Sequence, residues 1–93
     1  MSKMTRLRDN QATGRLEMVE AGQVVFATYR REGDRLVILH VESPASLRGS
    51  GAAGRFMDAM AQDARDAGEK IVPVCGYAAT WLRRHPTYRD LLV

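Results

Sequence analysis

The residues of this chain whose types and spacing suit chemistry lie in three short stretches. The first is Arg48, Gly49, Ser50, Gly51, Ala52, Ala53 and Gly54, where a strand pattern hands over to a helical one. Glycines let backbone amides approach a ligand closely, and a helix start adds unpaired N–H groups and the positive end of a dipole. Together these make an anion cradle, to which Arg48 can add a charge-assisted bond to phosphate. A glycine-rich connection is equally well a plain turn. It is not a nucleotide P-loop, because no Gly-Lys-Ser/Thr follows, and its spacing is not that of a dinucleotide fingerprint.

The second stretch is His40-Val41-Glu42. Two residues apart on a strand, His40 and Glu42 project from one face near the glycine run. They suit a general base with a proton relay, or a structural hydrogen-bonding pair closing the strand end. The third is Ile71-Val72-Pro73-Val74-Cys75, a short apolar run holding a proline and the chain's one cysteine. As a nucleophile Cys75 needs a nearby base or a helix N-terminus to favour its thiolate. As a bystander it is a small buried apolar residue, as most free cysteines are. No metal-ligand set is assigned.

The elements that must position these residues follow from periodicity. From Gly14 the pattern alternates, with Leu16 and Met18 against Arg15, Glu17 and Glu20. A second strand is expected over 24–31 and a third, apolar on both faces, over 35–41, joined by short turns into an antiparallel meander. A helix follows over 51–67, with Phe56, Met57, Met60, Ala61 and Ala64 on its core face. Then come a strand over 71–75 and a helix over 78–84, stopped by Pro86. The expected order is β-β-β-α-β-α, an α/β domain with a mixed sheet, because a helical crossover can set the third and fourth strands parallel. Residues 1–13 read as a flexible N-terminal arm or a partly paired edge, and residues 14–93 as a single domain.

The chain has 93 residues, 45% of them hydrophobic, which suits one small core. No apolar stretch reaches the length that spans a bilayer, and the polar N-terminus has no secretory core. One cysteine suits a reducing compartment, so a cytoplasmic protein with no membrane partner is the expectation. The net charge is +3 and the pI about 9.5, which tolerates an anionic ligand. The arginines are scattered and aromatics are only 6%, so the dense basic and aromatic stripe of a nucleic-acid binder is missing.

The sequence resembles the GNAT superfamily of acetyl-CoA-dependent N-acetyltransferases, through Arg48-Gly49-Ser50-Gly51-Ala52-Ala53 against an R/Q-x-x-G-x-G/A motif. It is most similar to the very small single-domain branch. That resemblance runs through His40-Val41-Glu42-Ser43-Pro44, the glycine run, Val72-Pro73-Val74-Cys75 and His85-Pro86-Thr87-Tyr88, in order over residues 14–92. It departs at Val41, at Ser43, where an aliphatic residue is usual, and at Gly76.

The resemblance implies a minimal GNAT-like fold whose central parallel strands splay, with the cofactor's pantetheine arm between them. It implies that acetyl-CoA rests its pyrophosphate on the amides of residues 48–54, and that Val74 and Tyr88 line the cofactor cleft, although a core tyrosine is the plainer role for Tyr88. Pro73 would help keep the strands apart. Glu42, assisted by His40, would deprotonate an amine acceptor, or Cys75 would carry or contact the acetyl group. His85 is expected to cap helix carbonyls. The chain runs almost directly into its first strand, so the acceptor side is expected to be open and to suit a protein amine. The alternative is a coenzyme A-binding module without significant turnover, a sensor or adaptor.

Overall fold

Alternating side chains build the sheet. In β2 (Arg15–Glu20) Leu16 and Met18 are buried, in β3 (Gln23–Glu32) Val25 and Ala27, and in β4 (Arg35–Glu42) Leu36 and Ile38. A period of two sets them on one face. The computed structural model describes residues 7–93. Its registers confirm the antiparallel meander, with Leu16 opposite Ala27 and Arg31 opposite Leu36.

Residues 7–13 are not a free arm. Leu7–Asn10 forms a further edge strand, β1, antiparallel to β2, while residues 1–6 lie outside the described ones. Two long-range interactions hold β1 down. Leu7 packs against the core cluster. Asp9 accepts hydrogen bonds from the Tyr29 hydroxyl and from Arg31 Nη1, the latter at 2.7 Å. Arg31 Nε in turn donates to Glu69 Oε2 at 2.7 Å.

After β4 the chain makes a 3₁₀ turn, Ala45–Leu47, and enters α1 (Ala52–Asp66), β5 (Lys70–Pro73), α2 (Gly76–Arg83) and a 3₁₀ segment, Pro86–Leu91. The strand order is β1-β2-β3-β4-β5, with β4 and β5 parallel. The sheet is mixed and the domain α/β, with one strand more than the alternation from Gly14 shows. From α1, Phe56, Met57, Met60, Ala61 and Ala64 meet Leu16, Val25, Ile38 and Ile71 in a single cluster that also takes in Ala78, Leu82, Tyr88 and Leu91. Burying a side chain such as Phe56 stabilises by about 1.5–3 kcal/mol. His85 is extended ahead of Pro86, so α2 stops there as the proline requires.

The β4–β5 ladder is short. Its last rung pairs Ile38 with Pro73. The Val74 and Cys75 amides both donate to the Ile38 carbonyl, at 2.9 and 3.1 Å. From there β4 runs on to Glu42 against β3 alone, with a register shift opposite Thr28 and Tyr29, while the other chain turns into α2. The parallel strands therefore part. The pair sits at one side of the sheet, because among the described residues only an isolated bridge from Ile71 to Leu92 lies beyond β5. An edge position is where a proline, with no N–H to give, is tolerated. Among the described residues no helix is long and apolar enough to cross a membrane.

Partial burial raises the Asp9 carboxyl, but the hydrogen bonds from Tyr29 and Arg31 outweigh it and hold Asp9 below the usual carboxylate range. A depressed pKa adds stability above the unfolded-state value, about 4, and that stability is lost as pH falls through the folded one. Asp9→Asn is expected to cost about 1 kcal/mol at pH 7, with the gap from wild type closing towards pH 3 in urea melts.

Candidate functional site

The glycine run forms a tight connection ahead of α1. Gly49 and Gly51 have φ of 82° and 87°, a left-handed backbone that side-chain-bearing residues adopt at a cost. Gly51 is the N-cap of α1, and no acidic residue occupies the first turn. The Ser50 hydroxyl accepts the Ala52 amide at 3.3 Å, and the Arg55 amide makes the first helical bond, to Gly51, at 3.0 Å. The amides of Ala53 and Gly54 belong to the orphan donors of a first turn. This helix end can receive an anion.

Arg55, which lies off the core face of α1, braces this loop. It donates to the Ser50 carbonyl at 3.1 Å and, through Nε, to Glu20 Oε2 at 2.9 Å. Its partner in β2 is 35 residues away, so local spacing carries no sign of it.

His40 and Glu42 lie opposite Thr28 and Phe26, on the sheet face away from Val25 and Ala27. His40 Nε2–H donates to Glu42 Oε1 at 2.7 Å, and Arg48 Nη2 stands 3.7 Å from the other carboxylate oxygen. The hydrogen bond from His40 is the main influence that holds the Glu42 carboxyl below its ordinary range; desolvation opposes it and outweighs either of the charges of His40 and Arg48, which act with the hydrogen bond. The two side chains are 58% and 43% exposed. They line a cavity of about 370 Å³ with Ser43, Arg48 and Tyr77. A second cavity, about 280 Å³, is lined by Ser43, Arg48, Gly49, Gly51, Gly54 and Tyr77 among others. The glycine run and the His40–Glu42 pair thus open onto adjoining spaces.

Cys75 is the N-cap of α2, is partly exposed and is not in a disulfide. It lines neither of these two cavities. Its neighbour Tyr77 lines both, and burial raises the Tyr77 hydroxyl's pKa, with charge on Cys75 pushing the same way. Tyr77 escaped the sequence reading, although an exposed tyrosine one residue after a helix-start glycine is a visible signal. Val74 reaches the strand end through its backbone, and the residue is 61% exposed.

Tyr88 is not brought to the loop. It is buried, its hydroxyl donates to Asp58 Oδ1 at 2.6 Å, and its ring lies against Trp81. His85 caps α2 as expected, with Nδ1–H donating to the Trp81 carbonyl at 2.7 Å.

The sequence model of the GCN5-related N-acetyltransferases matches residues 15–91. The chain belongs to that family. The solution structure of a GCN5-like protein from Staphylococcus aureus superposes with a TM-score of 0.67 at 18% identity, over 99% of this chain and 91% of that one. At that identity the likeness concerns the fold, which is that of a minimal GCN5-related domain. No curated protein matches the chain. Family membership supports acetyl transfer as the general chemistry of the domain, and the family's members use acetyl-CoA.

Within this GCN5-related loop the glycines differ in what they require. A Cβ on Gly51 would stand 2.9 Å from Arg55 Nη1 on an already strained backbone, whereas one on Gly54 would meet only Trp81 Nε1, at 3.6 Å. Gly51→Ala is expected to destabilise by about 1–2 kcal/mol. Gly54→Ala, inside α1, is expected to stabilise by up to about 1 kcal/mol. Thermal melts of the two variants check both signs.

Proposed function

We propose that this domain binds acetyl-CoA and transfers the acetyl group to an amine. The observation that carries the proposal is the parting of β4 and β5 after Ile38 and Pro73, beside a helix N-terminus with no acidic residue in its first turn. Arg48 and those amides of residues 49–54 not already bonded within the loop, Ala53 and Gly54 foremost, hold the pyrophosphate. The free backbone edges beyond Ile38 take the pantetheine arm. The residues fit such a ligand: Gly49 faces open space, and Arg48 is exposed and loosely held.

Acetyl-CoA supplies an activated thioester. Glu42 takes a proton from the incoming amine, directly or with His40 as relay. The amine nitrogen then forms the new C–N bond as the C–S bond breaks, and the coenzyme A thiolate leaves and is protonated. In the two-step route Cys75 Sγ attacks the thioester carbonyl, the C–S bond to coenzyme A breaks and the departing thiolate takes up the proton that the Cys75 thiol loses; the amine then attacks the acetyl-cysteine and Cys75 leaves as its thiol. The exposure of His40 and Glu42 favours an acceptor carried on a larger molecule, such as a protein lysine or N-terminus.

A specific observation also favours the alternative, a coenzyme A-binding module without turnover. Hydrogen bonding to His40 makes Glu42 a weaker base than a free glutamate, whereas general bases work best with a pKa near the working pH.

Calorimetric titration with acetyl-CoA tests the binding step. The protein is expected to bind in the micromolar range, and Arg48→Glu to weaken binding at least about tenfold, since it replaces attraction by repulsion. No binding by the wild type sinks the proposal. Mass spectrometry after incubation with acetyl-CoA then separates the routes: acetyl retained on Cys75 and absent from Cys75→Ser supports two steps. Transfer lost in Glu42→Gln but kept in Cys75→Ser supports direct attack. Binding with no acetyl loss in any amine panel favours the module.

A further inference from the structure

Ser43 follows the last residue of β4 and lines both cavities described above, the one that holds His40 and Glu42 and the one that holds the glycine run. Its hydroxyl is buried and has no hydrogen-bond partner, the one such side-chain atom among the described residues. A buried hydroxyl gives up its bonds to water, and without a replacement the fold bears that loss. Native structures satisfy nearly all such groups, so an orphan just beneath the surface, on a residue that lines both cavities, calls for a partner that arrives later.

Four residues are common to both cavities: Ser43, Arg48, Ala53 and Tyr77. Arg48 lies over Ser43, with Nε donating to the Ser43 backbone carbonyl at a long 3.4 Å and Nη2 3.7 Å from Glu42. Its side chain is 67% exposed, and such exposed pairs are weak. Displacing it costs little. An anion at the glycine run would draw Arg48 away from Glu42, and the two cavities would then share a passage with the Ser43 hydroxyl in its wall.

We infer that Ser43 is a specificity-determining residue, hydrogen-bonding a polar amide in the middle of a ligand that spans both cavities. A hydroxyl both donates and accepts, so it can serve an amide carbonyl or an amide N–H, and it discriminates an amide from a purely aliphatic linker. The inference rests on the proposed acetyl-CoA reading, in which the ligand's anion lies at the glycine run, its reactive end near His40 and Glu42, and an amide-bearing arm between.

The test compares wild type and Ser43→Ala with two ligands: acetyl-CoA, and 3′-phospho-ADP, which keeps the anionic end and lacks the arm. Ser43→Ala removes an unsatisfied buried group. The free variant is therefore expected to melt a few degrees higher (about 2–6 °C). Its affinity for acetyl-CoA is expected to fall about 5–10-fold, the worth of one neutral hydrogen bond, while its affinity for 3′-phospho-ADP stays within about twofold.

That opposition between stability and arm-dependent affinity is what a merely structural serine would not produce. A lower melting temperature with unchanged acetyl-CoA affinity overturns the inference and leaves the acetyl-CoA reading standing. Equal loss of both ligands also overturns it, because the defect then lies at the anionic end. If wild type binds 3′-phospho-ADP no more weakly than acetyl-CoA, the arm makes no contact and the inference fails on that ground. If wild type binds neither ligand, the functional reading itself fails.

Discussion

The parallel ladder between β4 and β5 ends at Ile38 and Pro73, and most of what distinguishes this domain depends on that ending. Two amides from the β5 side, those of Val74 and Cys75, converge on the single carbonyl of Ile38. The chain then bends into α2 instead of pairing onward. Pro73 leaves the ladder itself intact, because the residues on either side of it face β4 and its own nitrogen faces the open edge. From that point β4 presents its backbone to a gap, and the residues that suit chemistry stand along its margins. His40 and Glu42 come from the continuing strand, Cys75 from the turn into α2, and the glycine run from the opposite side.

The electrostatics of the gap are arranged by side chains that brace as well as bind. Arg55 spans from α1 to Glu20 in β2 and to the Ser50 carbonyl, which fixes the loop without engaging its backbone amides. Arg48 is the looser of the two arginines and touches both Glu42 and Ser43. The glycine run and the His40–Glu42 pair are therefore connected through one exposed cation. A change of charge at the loop reaches Glu42 directly, without any movement of the backbone.

Much of this was legible in the sequence, because the chemistry lies in contiguous runs. The glycines announce their loop, the alternation of Leu16 and Met18 announces β2, and the spacing of Phe56, Met57 and Met60 announces the face of α1. His40 and Glu42 could be set on one face from their spacing alone. What stayed hidden depends on partners far along the chain. β1 is held by Asp9 against residues about twenty positions on, and Arg55 finds Glu20 across 35. Tyr88 could be placed either in the cleft or in the core by its local pattern, and Asp58, thirty positions earlier, decides for the core. The Ser43 hydroxyl is invisible for another reason: its lack of a partner is a property of three-dimensional packing.

Arg31 gives the sheet a mechanical asymmetry. It lies on β3, the middle strand, and binds both Asp9 on β1 and Glu69 immediately before β5. The Lys70 amide adds a backbone tie to Asp34 at 2.9 Å. All of these ties cluster at the end of the sheet where β5 begins, opposite the end where β4 and β5 part. A sheet bound at one end and open at the other widens by pivoting, like the tines of tongs. Any such widening is hinged where β5 begins, and the final 3₁₀ segment resists it, because Tyr88 and Asp90 are tied to Asp58 and Arg65 of α1.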